Sequence, residues 1–147
     1  MRVYISMDAE GISGIYKLAQ VMPRHTEYDY ARKLMASDIN AAVAGACDAG
    51  AENVFVCDAH NGGDNLHITD LDERTILCSG ADRPFTMAEG CDLGYDAALL
   101  IGYHTRKGSK GVISHSYAYG SMVEMRINGK IASEYELIGY MIGYYGV

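Results

Sequence analysis

Two carboxylates, Asp8 and Glu10, stand where the apolar run VYISM ends, in the stretch SMDAEGISG. Asp58 and His60 follow the run NVFVC in the same way, inside CDAHN, and His104 follows AALLIG, inside GYH. Carboxylates together with imidazoles are the donor mix that suits Zn²⁺ or another borderline divalent metal. Each piece alone also has a plainer reading. A D-x-E can be a helix cap beside a surface acid, and DAHNGG can be a turn with a hydrogen-bonded histidine. His104 can be a satisfied core histidine, and His115, between Ser114 and Ser116, can bond within its own loop. The plainer readings do not account for three apolar runs that end in the same class of ligand.

Other chemistries find no support. Gly11 and Gly14 do not make a G-x-G-x-x-G, no G-K-[ST] is present, and there is no H-E-x-x-H. Ser114, His115 and Ser116 are adjacent, and neighbours on an extended run point to opposite sides, so no serine triad follows from them. His25 and His67 sit in polar loop contexts and are expected at the surface. The 12 tyrosines follow hydrophobic periodicity and are expected in the core and at interfaces.

The elements that must position these groups follow from periodicity. MRVYISM is a short β-rich run. From Glu27 to Asp48 apolar residues recur at three-to-four spacing (Tyr30, Leu34, Ile39, Ala42, Val43, Ala46), which predicts a helix stopped by Gly50. NVFVCDAH is a second strand, closed by the turn-forming NGGDN. Strand, helix, strand is a βαβ unit, so the two strands are expected to be parallel. TILCSG from Thr75 and DAALLIGYH from Asp96 are further strands, and GVISHSYAYG comes next. In VEMRINGKIAS the Asn128-Gly129 pair predicts a two-residue hairpin. YELIGYMIGYY from Glu134 predicts a closing helix, weakened by Gly139 and Gly143. The expected class is α/β, a mainly parallel sheet flanked by helices with a β-hairpin near the C-terminal end, as one domain over residues 1–147. In such sheets ligands bind beyond the carboxyl ends of the strands. Asp8, Glu10, Asp58, His60 and His104 would therefore converge on one edge.

Composition narrows the partners. With 19 acidic against 12 basic residues and a net charge of -7, the chain lacks the clustered bases that a nucleic-acid backbone requires. No long apolar stretch provides a secretory or membrane-spanning segment, so a cytoplasmic location without membrane association is expected. Cys47, Cys57, Cys78 and Cys91 fall singly on apolar segments without C-x-x-C spacing, which predicts reduced core thiols.

The blocks SMDAEGISG, YARKLMASDIN, CDAHN, GYHTRKGSKGVISHS and INGKIASE, in this order, resemble the bacterial zinc-dependent D-aminopeptidases of dipeptide-transport operons. The resemblance extends over the whole chain, which would correspond to about the N-terminal half of a typical member. It implies a cytoplasmic metallo-aminopeptidase acting on short peptides, a ring-like homo-oligomer and two Zn²⁺ per subunit. Asp8 would bridge the ions, Glu10 and His104 would complete one, and His60 with Glu134 the other. It further implies that His115 is the nucleophile or general acid/base. Glu136 lies close enough to compete with Glu134. Asp58 is expected to orient His60 by accepting its other ring N–H. Two other readings are a Mg²⁺-dependent phosphohydrolase, for which acids after a first strand also serve, and a non-catalytic metal-binding fragment or paralogue.

Overall fold

The computed structural model describes all 147 residues. Four parallel strands form the central sheet: β1 (Val3–Met7), β2 (Val54–Asp58), β3 (Thr75–Cys78) and β4 (Ala97–Ile101), in the spatial order β3-β2-β1-β4. Helix α1 (Tyr28–Asp48) connects β1 to β2. Strands β5 (Met125–Ile127) and β6 (Lys130–Ala132) make a separate antiparallel hairpin, and α2 (Glu134–Tyr144) closes the chain. This is the expected parallel α/β architecture with a C-terminal hairpin. Asn128 and Gly129 both take positive φ, 51° and 78°, as the tight turn of a right-twisted hairpin requires.

Because β1 is central, it is buried on both faces. Val3, Ile5 and Met7 join Val54 and Val56 beneath α1, whereas Tyr4 and Cys57 face Ile138 and Ile142 of α2. The period of two in each strand thus serves two cores, one per helix. On α1 the buried stripe is Tyr28, Ala31, Met35, Ile39 and Val43, a phase shifted from the one expected from sequence. Tyr30 lies outside it and is exposed, while Leu34, Ala42 and Ala46 pack at its margin. Tyr28 takes the inward place because its ring is apolar and its hydroxyl finds a buried acceptor on Asn65. The helix stops at Gly50, φ 101°, where Ala51 N–H reaches back to Ala46 and Gly50 N–H to Cys47.

Seven tyrosines (Tyr16, Tyr30, Tyr119, Tyr135, Tyr140, Tyr144, Tyr145) are exposed, so core packing describes only a minority of the 12. All four cysteines are free thiols; Cys57 and Cys91 are buried, but Cys47 and Cys78 are only half-buried. His25 and His67 are exposed. The segment containing GVISHSYAYG is not extended but loops, and its Ile113 and Tyr117 have positive φ. No helix is long and apolar enough to cross a membrane.

Helix α2 carries two glycines and depends on its N-terminal cap. Ser133 Oγ accepts the Glu136 N–H at 3.3 Å, and the Glu136 carboxylate accepts the Ser133 N–H at 2.6 Å. Replacing Ser133 with Ala should cost about 1 kcal/mol, or about 2–4 °C in Tm for a domain of this size. A thermal melt read by circular dichroism measures it.

Candidate metal centre

Met7 pairs with Asp58 on one side and Ile101 on the other, so β1, β2 and β4 end level. Their next few residues emerge at one edge, at the point where strand order switches direction around β1, the usual place for a ligand in such a sheet. The loops after β1 and β4 press together there. Gly11 N–H donates to Gly102 O at 2.7 Å, and a Cβ on Gly102 would meet the Asp8 carbonyl oxygen at 2.0 Å. Gly102 also has φ 76°, so glycine is needed twice over at this crossing. The backbone of Asp8 is thereby held against the end of β4.

Asp8, Glu10, His60, His104, His115 and Glu134 are all buried, and all but His104 line one cavity of about 700 Å³. His60 Nε2 lies 2.9 Å from Val21 O and 2.8 Å from Asn61 Nδ2, and its Nδ1 faces Asp8 Oδ1 at 3.2 Å and Glu10 Oε2 at 3.4 Å. His104 Nδ1–H donates to Thr105 O at 3.0 Å, leaving Nε2 3.6 Å from Asp8 Oδ2 and 3.7 Å from Glu134 Oε2. The centre is thus two sets of electron-pair donors turned toward each other across Asp8.

Such an arrangement is unfavourable by itself. Asp8 Oδ2, Glu10 Oε2, His104 Nε2 and Glu134 Oε2 are buried with no hydrogen-bond partner, and each such orphan costs about 1–3 kcal/mol. A shared cation removes the penalty. Zn–N and Zn–O bonds of about 2.0–2.2 Å in a tetrahedron place neighbouring donors about 3.3–3.6 Å apart, close to the separations here. The donor atoms of Asp8, Glu10 and His104 lie within 4.8 Å of one another, as do those of His104, His115 and Glu134. The residues therefore fit a zinc centre in donor type, spacing and unmet need. The shortest separations pair His60 with Glu10 and His104 with Glu134 about Asp8. Glu10 and His104 also share a cluster with Asp8, the grouping that the resemblance implies.

The titration behaviour has the same origin. Burial raises the pKa of Asp8, and the carboxylates of Glu10 and Glu134 push it further. Burial also opposes the charge on Glu10, but the imidazoles of His60, His104 and His115 outweigh it and hold that pKa low. His60 and His104 lose charge stability to burial and regain more from the neighbouring carboxylates, so both are raised. Without a metal, protons on the imidazoles would do the bridging.

The surroundings fix these side chains. Glu134 opens α2 and turns inward, whereas Glu136 is taken by the Ser133 cap. Asp58 does not contact the His60 ring in the way expected. Its carboxylate accepts the amides of Asn65 and Leu66, both at 2.7 Å, and the Asn65 side chain. Asn65 in turn donates to His60 O at 2.7 Å and accepts from Tyr28. Asp58 therefore steadies the loop that carries His60, and the ring is oriented by Val21. Nothing in the turn-rich NGGDN marks Asn65 out in sequence, because its partners come from α1 and β2.

His115 donates Nδ1–H to Ile113 O at 2.8 Å, which leaves Nε2 as the free nitrogen, and its ring stacks on His104 with centroids 3.8 Å apart. Its N–H donates to Thr105 O, the carbonyl that also orients His104. Ser114 and Ser116 knit the loop, through Thr105 Oγ1 and Lys107 N–H, and neither hydroxyl bonds the imidazole.

The whole chain, residues 1–147, matches the family model described as D-aminopeptidase, peptidase M55. It is 37% identical over 147 residues to a D-aminopeptidase of Bacillus subtilis (strain 168). It also superposes with a TM-score of 0.96 on a structure described as the Zn-dependent D-aminopeptidase DppA from Bacillus subtilis, a self-compartmentalizing protease, again at 37% identity. Both alignments use all of this chain and 53% of the other, so the chain spans about half the length of these relatives. With the family model covering every residue, the chain belongs to the D-aminopeptidase family.

Proposed function

We propose that residues 1–147 form the metal-binding catalytic unit of an aminopeptidase that removes N-terminal D-amino acids from short peptides. The observation that carries this reading is the set of buried, unpartnered donor atoms converging from the ends of β1 and β4 and the start of α2. Asp8, presenting one oxygen to each side, would be shared by two Zn²⁺ ions, with Glu10, His60, His104 and Glu134 completing them. Bound there, zinc would supply Lewis acidity toward the scissile carbonyl and lower the pKa of a water molecule.

The chain's own residues do the rest. Burial of the cluster limits competing water and strengthens its electrostatics. The free Nε2 of His115 opens toward the same donors and is suited to deliver a proton to the departing amine. Carboxylates at the centre suit a free α-amino group. Imidazole in both donor clusters favours zinc over the hard, oxygen-seeking Mg²⁺ of a phosphohydrolase. The free thiols suit the reducing cytoplasm, and the self-compartmentalizing relative supports a homo-oligomer.

Metal analysis combined with release of D-Ala and L-Ala from their amides tests the proposal. Two zinc ions per chain with release of D-Ala is expected. Zinc binding without hydrolysis of either amide would reduce the protein to a metal-binding relative, and failure to retain zinc would remove the reading altogether.

A further inference from the structure

Arg83 is the one lysine or arginine among the residues lining the cavity, whose other charged walls are Asp8, Glu10, Asp82 and Glu134. None of the chain's ion pairs includes it. Arg83 is half-buried, and its guanidinium is anchored by one nitrogen, Nη1, which donates to Asp58 O at 2.8 Å and lies 3.4 Å from Cys57 Sγ. Nε–H and the Nη2 donors have no acceptor on the chain. Nη2 lies over Gly63, where a Cβ would stand 2.7 Å from it and 2.8 Å from Asp58 O. The loop after β2 thus leaves room for the guanidinium by omitting a side chain, and Gly63 at φ 68° is the residue that allows it.

A half-buried arginine with a fixed base, unspent donors and no counter-charge is built to take a planar anion by a two-pronged contact. Capping the Asp58 carbonyl alone would use one N–H of five. The cavity therefore carries acids and imidazoles around the reacting centre and a single cation on its wall. A short zwitterionic peptide has the complementary polarity, with its amino end toward the carboxylates and its carboxylate toward the cation.

We propose that Arg83 binds the free C-terminal carboxylate of the substrate, which makes short peptides ending in a free carboxylate, rather than blocked or long peptides, the preferred class. The inference rests on the aminopeptidase reading for the identity of the substrate, and on the cavity alone for the anion site.

The test compares D-alanylglycine with D-alanylglycinamide, which differ only in the terminal charge. The zinc-loaded protein should favour the dipeptide in kcat/KM by about 10- to 100-fold, the range expected of a hydrogen-bonded charge. In Arg83→Gln that preference should collapse toward one, with Arg83→Lys intermediate because it restores the charge without the fork. The ratio is measured within each variant, so the fraction of folded protein cancels. Should the protein hydrolyse neither compound, the aminopeptidase reading fails while titration calorimetry still reads the anion site through the two affinities. Equal use and equal binding of the two compounds by the unaltered protein, or a preference that survives in Arg83→Gln, would overturn the assignment.

Discussion

Replacing Asp8 with Asn is expected to abolish zinc binding and hydrolysis together while leaving the metal-free protein folded. Asp8 is almost fully buried and faces Glu10, Glu134 and two imidazoles, and one of its oxygens has no partner. In the metal-free protein burial and the neighbouring carboxylates oppose its charge while the raised His60 and His104 imidazoles support it, so the isosteric amide relieves one cost and forfeits the other. With metal present the loss is one-sided. Asp8 is the residue that reaches both imidazoles, Oδ1 toward His60 and Oδ2 toward His104, so on the proposed reading its loss would remove a ligand from both positions at once. Zinc at 1,000 times its Kd should raise the stability of the unaltered protein by about 4 kcal/mol, roughly 8–16 °C in Tm at this chain length. That increment should vanish in Asp8→Asn, and paired melts with and without zinc measure it. An amide variant that still retains two zinc ions would show that Asp8 is not the shared ligand.

The parts of the centre legible in sequence are those that strand logic dictates. A parallel strand buried on both faces reads as a continuous apolar run, so its end is visible, and Asp8, Asp58 and His104 each mark one. The level register of the three strands then brings Asp8, His60 and His104 together without further information. The hairpin was visible for a similar reason, since Asn128-Gly129 supplies both positive φ values locally. What stayed hidden depends on partners distant in sequence. The phase of the α1 stripe turns on Tyr28 finding Asn65, 37 residues away. Asp58 reads in sequence as a partner for the His60 ring, yet the folded loop gives its oxygens three better donors in Asn65 and Leu66. Arg83 is unremarkable in ADRPF and gains meaning only where the β2 loop leaves space above Gly63.

Changing His115 to Ala is expected to lower kcat by about 10²–10⁴-fold, the usual worth of a positioned general acid or base, with zinc content unchanged. The structure commits considerable stability to this side chain. Ile113 and Tyr117, two residues to either side, are held at φ 48° and 49°, at a cost of about 1–3 kcal/mol each. For a β-branched isoleucine this conformation is especially unfavourable. In return the Ile113 carbonyl takes the Nδ1 proton of His115, which fixes the tautomer and leaves Nε2 available. The Thr105 carbonyl ties the backbone of His115 to the orientation of His104, and the stacked rings hold the two at a constant separation. A side chain placed in this way would exchange a proton beside bound zinc without being needed to retain it, if Asp8, Glu10, His60, His104 and Glu134 supply the donors as proposed. Metal analysis alongside single-turnover rates separates the two roles. Loss of zinc in His115→Ala would make His115 a ligand, in keeping with its place in the cluster with His104 and Glu134. Full activity in that variant would take it out of the chemistry and leave the strained loop as a purely structural feature.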